Sequence, residues 1–202
     1  SHSLLSVPLL GVNSSKSSSF GHFCMASIDN FDRILDAIMA DSLEPLEILR
    51  LQLELNGKVL NERVLNEVLI AHDSPAATSR YFIEVMGNRE EHRSSGILIG
   101  TPGGSTGTLR SAGGKVQAID AQEYQFMVRE PCSRPGETWQ YTDGLLERDS
   151  PIKVTSLMRT GSIYIDGPHI VYQFQLGDEL VLRAQDNDLN AFVDARVNDM
   201  FA

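Results

Sequence analysis

The chain has 202 residues, 42% of them apolar and 22% charged, with a formal net charge of −10 and a pI near 4.9. That length holds a real core, and that composition excludes a disordered or collagen-like chain. The negative balance, with seven acids against two arginines from Asp166 onward, argues against nucleic acid and anionic lipid as partners.

Residues 4–12 are a short apolar run broken by Pro8. The run predicts an edge strand and not a signal segment, because no basic flank or cleavage site accompanies it. No apolar stretch reaches the ~18 residues that span a bilayer, so no membrane partner is expected. A Ser-rich loop occupies residues 13–19. Ser27 is placed to cap a helix in which Ile28, Phe31, Ile34, Leu35, Ile38 and Met39 fall at helical spacing. That spacing predicts one buried stripe, and Pro45 ends it.

The period then changes to two. Leu49, Leu51, Leu53 and Leu55 alternate with polar residues, and Asn56-Gly57 supplies a type I′ turn. A single return strand is expected through Val64, Leu65, Val68 and Ile70. Further strands are expected over residues 80–86, 96–99, 124–129, 152–158, 162–166, 169–175 and 179–184. Asp166-Gly167 and Gly177-Asp178 are turn signals among them. The tail returns to helical spacing at Leu189, Phe192, Val193, Val197 and Met200. The fold class expected is α+β. An α/β N-terminal part (1–45) precedes a β-rich, mostly antiparallel domain (46–186), and a helical tail (187–202) follows.

Two distant cysteines, Cys24 and Cys132, favour a reducing compartment, hence the cytoplasm. The five histidines show no zinc-ligand spacing, so no protein-held metal is expected. Trp139 stands in a Pro/Gly/Glu-rich stretch and reads as a loop anchor.

Two segments carry chemistry. The first is T-P-G-G-S-T-G-T-L-R-S-A-G-G-K, residues 101–115. Around Ser105 it fits the nucleophile elbow G-x-S-x-G, but His169 follows Asp166 by only three residues and no oxyanion segment is present. A Walker loop fails, because Val116 replaces the required Ser or Thr. Two alternatives stay open: a glycine loop that lets a nucleotide approach bare backbone, or a plain Gly-rich turn. Under the first, Gly104→Val should block a ligand and spare the fold. The second segment is Asn66-Glu67, inside an apolar strand. Such a Glu either faces solvent or is a buried acceptor, and beside an amide it suits the two hydroxyls of a sugar.

The run L-N-E-V-L-I (65–70), followed by S-S-G-I-L-I-G-T-P-G-G-S-T-G and S-A-G-G (94–114), resembles the NAD kinase family. V-P-L-L-G-V-N, F-G-H-F-C-M-A, N-F-D-R-I-L-D, Q-F-M-V-R-E-P and I-Y-I-D-G look closest to the branch containing plant NADH kinases. The resemblance implies ATP-dependent phosphorylation of the adenosine-ribose 2′-hydroxyl of NAD or NADH, with Mg²⁺ accompanying ATP and a homodimer as the favoured assembly. It implies that residues 1–45 are the remnant of an α/β domain. It also implies that Asn66 and Glu67 hold ribose hydroxyls, that Gly104, Ser105 and Thr106 line the adenine pocket, that Thr101 belongs to the same substrate-binding loop, and that Ser111 lies near the nicotinamide. Ser95 replaces a common Asp, and Thr108 a common Tyr. The catalytic residue is expected in a G-G-D-G-T motif upstream of Ser1, and the segment 12–19 is shorter than this branch leads one to expect. A non-catalytic dinucleotide-binding domain is one alternative function, and a serine hydrolase using Ser105 is another.

Overall fold

Alternating apolar and polar residues build most of this molecule as strands. The computed structural model describes residues 7–15, 21–133, 135–136, 138–184 and 188–201. The chain opens with the short strands β1 (Leu9–Leu10), β2 (Val12–Asn13) and β3 (Ala26–Ser27), then α1 (Phe31–Met39) and β4 (Leu46–Ile48). A hairpin follows, β5 (Leu51–Leu55) and β6 (Lys58–Val64), then β7 (Glu67–His72). A second hairpin joins β8 (Ser79–Val85) to β9 (Asn88–Ser94), and β10 (Ile97–Gly100) leads through a 3-10 turn into α2 (Thr108–Ser111). The remainder is β11 (Glu123–Val128), β12 (Asp143–Glu147), β13 (Ile152–Ser156), β14 (Gly161–Ile165), β15 (Ile170–Gln173), β16 (Glu179–Ala184) and β17 (Leu189–Phe192).

Two six-stranded antiparallel sheets face each other, in the orders β12-β11-β10-β7-β14-β15 and β6-β5-β16-β13-β8-β9. Leu51, Leu53, Ile83, Val154 and Leu182 point inward from one sheet, and Val68, Ile70, Ile99, Phe126 and Ile163 from the other. At about 25 cal/mol per Å² of apolar area, this burial is the chief stabilising term. A smaller sheet, β1-β17-β4, covers a second core of Ile48, Leu65, Ile119, Leu189 and Val193.

The type I′ turn forms where expected, with φ of 51° at Asn56 and 78° at Gly57. The expected single return strand does not. It ends at Val64 in one sheet, and the chain resumes at Glu67 in the other. Leu65 and Asn66 therefore form a two-residue crossing between the sheets. The helix begins three residues after the expected start. The Asn30 carboxamide oxygen accepts from the Ser27 N–H (2.7 Å) and hydroxyl (3.2 Å), so Ser27 ends β3 and a turn separates it from the helix. Its stripe is not buried: only Ile34 turns fully inward, while Ile28 is 83% and Met39 78% exposed.

The tail is a strand and a closing 3-10 turn (Asp199–Phe201), not a helix. Pairing with both β1 and β4 lets Leu189 and Ala191 enter the second core, which outweighs the helical spacing. Of the expected first strand, residues 9–10 and 12–13 pair; the part before residue 7 and the loop from residue 16 lie outside the described residues.

Candidate functional site

The site begins at the crossing. Register pairs Ile165 of β14 with Val68 of β7, so the residue after Ile165 meets the residue before Val68. That residue is Asp166. Its carboxylate accepts the backbone N–H groups of Leu65 (2.9 Å), Asn66 (2.8 Å) and Glu67 (3.2 Å). The Asp166 N–H in return donates to the Glu67 carbonyl at 3.0 Å. Charge-assisted bonds of this kind are about twice as strong as neutral ones, so three at one carboxylate fix the corner firmly.

The glycine-rich segment lies against the same corner. Thr101 is fully buried; its N–H donates to the Asn66 carbonyl at 2.9 Å and its hydroxyl to the Leu65 carbonyl. A Cβ on Gly104 would fall 2.4 Å from the Asn66 carbonyl oxygen, and one on Gly103 would fall 2.9 Å from that of Leu65. Glycine is needed here for the protein's own backbone, so the expectation that Gly104→Val spares the fold is corrected. Ser105 is buried as well. Its hydroxyl donates to the Pro102 carbonyl (2.7 Å) and accepts from the Gln117 N–H (3.1 Å). With ordinary helical backbone (φ −65°, ψ −19°) and an inaccessible, engaged hydroxyl, Ser105 has none of the geometry of a nucleophile elbow.

Beyond Ser105 the loop turns outward. Thr106, Gly107 and Thr108 border a cleft of about 540 Å³, together with Gly104, Asn66, Glu67, Asp166, His22, Phe23 and Phe201. Sharing Glu67 and Thr108, an apolar extension of about 250 Å³ runs beneath Leu69, Leu98, Tyr164 and Pro168. Of the seven residues singled out from sequence, Asn66, Glu67, Gly104 and Thr106 thus meet on one cleft. Thr101 and Ser105 stand behind its wall as fasteners. Ser111 sits exposed on α2, its hydroxyl donating to the Gly107 carbonyl at 3.3 Å, and is not brought to the wall.

Burial, and secondarily the charge of Asp166, holds the Glu67 carboxyl above the usual glutamate range. Burial lowers the pKa of His22, partly offset by the Asn198 side chain. Among the described residues, no three His, Cys, Asp or Glu side chains are grouped to hold a metal ion. Asp166, the second acid on the cleft, has its carboxylate committed to backbone. Sequence reasoning had read Asp166 as part of a turn, as a rejected triad acid and within the I-Y-I-D-G run, never as the brace of residues 65–67, and it singled out neither Phe201 nor Asn198 for the site. No spacing links any of these residues to residue 66; only the β7–β14 register and the tail's path do.

No family model matches the chain. A probable NADH kinase of Oryza sativa subsp. japonica is 36% identical over 196 residues, covering 87% of this chain and 60% of the relative. The NADH kinase of Arabidopsis thaliana is 35% identical over 217 residues, covering 93% of this chain and 66% of the relative. The chain belongs to the NAD kinase family. It spans 60–66% of the length of these two curated relatives. Its fold is that of solved NAD kinases as well. The yeast NADH kinase complexed with NADH superimposes with a TM-score of 0.75 over 88% of this chain and 52% of that one, at 16% identity. An NAD kinase from Archaeoglobus fulgidus in complex with ATP gives 0.76 over 96% of this chain and 71% of that one, at 20% identity. Within the NAD kinase family, the Asn-Glu and glycine-rich motifs that carried the resemblance are here two sides of one corner.

Proposed function

We propose that the protein catalyses ATP-dependent phosphorylation of NAD or NADH at the adenosine-ribose 2′-hydroxyl. The observation that carries this reading is the half-buried Asn66-Glu67 pair at the head of the cleft, fixed by Asp166 and faced by Thr106 and Gly107. Glu67 accepts from the sugar hydroxyls, and the Asn66 amide donates or accepts beside it. In the reaction the 2′-oxygen bonds to the γ-phosphorus, the bond to the departing ADP oxygen breaks, and the hydroxyl proton passes to a general base. A divalent ion, Mg²⁺ by preference, enters as part of the ATP substrate and neutralises the phosphate charge. The full-length protein should form NADP(H) from NAD(H) and ATP in a coupled assay. Tight NADH binding without turnover would favour the non-catalytic dinucleotide-binding alternative.

Two finer points go with this reading. Leu69, Tyr164 and Val171 lie in register across the outer face of one sheet, a partly exposed apolar row that supports a homodimer. Light scattering that finds a monomer at micromolar concentration would remove it. Cys24 and Cys132 are free thiols, which supports a reducing compartment such as the cytoplasm.

A further inference from the structure

Asn198 is fully buried in the tail, and its amide donates to the Pro102 carbonyl at 3.0 Å and the Gln117 carbonyl at 2.7 Å. Those carbonyls stand at the two stems of the glycine-rich segment, so one side chain joins the tail to both ends of that loop. A carboxamide used this way at full burial is a strong positional constraint. Three residues later, Phe201 reaches the cleft wall. Its ring is tilted against His22 with centroids 5.9 Å apart, and His22 meets Phe23 edge-on at 5.1 Å. All three rings are half-buried, and each borders the cleft. An aromatic surface that opens onto a polar cavity has a flat face available for a planar ligand.

We propose that the tail is a working wall of the ligand cleft. Phe201, with His22 and Phe23, receives the flat face of a nucleobase, and Asn198 is the positioning residue that keeps that wall against the loop. The proposal rests on the reading that the cleft takes nucleotides. An adenine ring is the shared chemistry, and it has two sources, the dinucleotide and ATP.

The test is calorimetry on the full-length protein with NADH, ATP and reduced nicotinamide mononucleotide, which has no adenine. Base stacking on an aromatic ring sets the scale, so Phe201→Ala should weaken one adenine ligand about tenfold. Loss with NADH assigns the wall to the dinucleotide, and loss with ATP to the donor. Phe201→Trp should restore the affinity, with its new emission quenched on binding. Asn198→Ala should weaken the same ligand, and adding Phe201→Ala to it should cost nothing further, a non-additivity that mere destabilisation does not produce. Unchanged NADH and ATP affinity in Phe201→Ala overturns the proposal, as does equal weakening of the mononucleotide. If wild-type protein binds neither NADH nor ATP, the functional reading fails instead, which is a separate result.

Discussion

The glycine-rich segment has two halves that look alike in sequence and differ in role. In the first half, through Ser105, backbone packs on backbone, and a Cβ at Gly104 would sit 2.4 Å from the Asn66 oxygen. In the second, a Cβ at Gly107 meets only the Gly104 oxygen, at 3.7 Å, and close packing returns only at the far stem, where one on Gly114 would sit 2.9 Å from the Leu109 carbonyl oxygen. The difference teaches that glycine richness marks closeness to something, and that the something here is first the protein itself. The first half borders the cleft at Gly104, and on the proposed reading it serves a ligand chiefly through the rigidity it gives Asn66 and Glu67.

The sharpest way to break this comparison is to add one methyl group to each half. Gly104→Ala should destabilise the fold by about 3 kcal/mol, since overpacking against backbone finds no rotamer to relieve it. Gly107→Ala should stay within about 1 kcal/mol of wild type. Thermal unfolding of the two variants decides; equal stability would erase the distinction.

Next in size is Asp166→Asn, which keeps the shape but removes the charge that three N–H groups address. A loss of about 2 kcal/mol is expected, in line with hydrogen bonds to charged groups. Removing that charge also lowers the Glu67 pKa, because Asp166 contributes to its upward shift. The pH profile of NADH binding should therefore move to lower pH, a change that structural loosening alone would not give.

The smallest energetic effect is expected at Glu67. Glu67→Ala should weaken dinucleotide binding roughly tenfold, the worth of one charge-assisted bond. The carboxyl's raised pKa means the unfolded chain releases this proton more readily than the folded one. Wild-type stability therefore falls as pH rises from the ordinary glutamate range through the raised value. Glu67→Gln should be the more stable protein at neutral pH and lose that advantage in acid. Binding runs the other way, weakening as acid neutralises the carboxylate. Urea unfolding and calorimetry across pH should thus give opposite signs for one substitution.

How far the sequence revealed all this differs by element. Strands with apolar alternation were legible: β5, β8, β13 and β16 fall within a few residues of expectation. β9 was not, because its inward residues are His92 and Ser94, which give it no hydrophobic pattern. The Ser94 hydroxyl lies 2.6 Å from that of Tyr81, and His92 stacks against Trp139. That stack agrees with reading Trp139 as a loop anchor. β12 was missed because only Leu146 is fully buried. At the site, Asn66 and Glu67 stood out because a carboxylate in an apolar strand needs a reason. Thr101 and Ser105 stood out equally, yet their hydroxyls bond backbone. Motif membership does not separate a residue that touches ligand from one that braces it. The helical spacing of the tail misled because a strand position was vacant beside β1 and β4, and tertiary pairing overrode local period.

The pairing of β17 with β1 sets Leu9 against Ala191, positions roughly 180 residues apart in the chain. Contacts of such separation form late, since closing a long loop costs entropy that only the finished pairing returns. The two six-stranded sheets contain hairpins but also long pairings of their own, Leu51 of β5 opposite Ala184 of β16 and Val68 of β7 opposite Ile165 of β14. The crossing at Asn66 is likewise unbraced until Asp166, 100 residues further along, has paired with it. On the proposed reading, the cleft draws on residues from His22 to Phe201, so it is complete only when segments far apart in the sequence have come together.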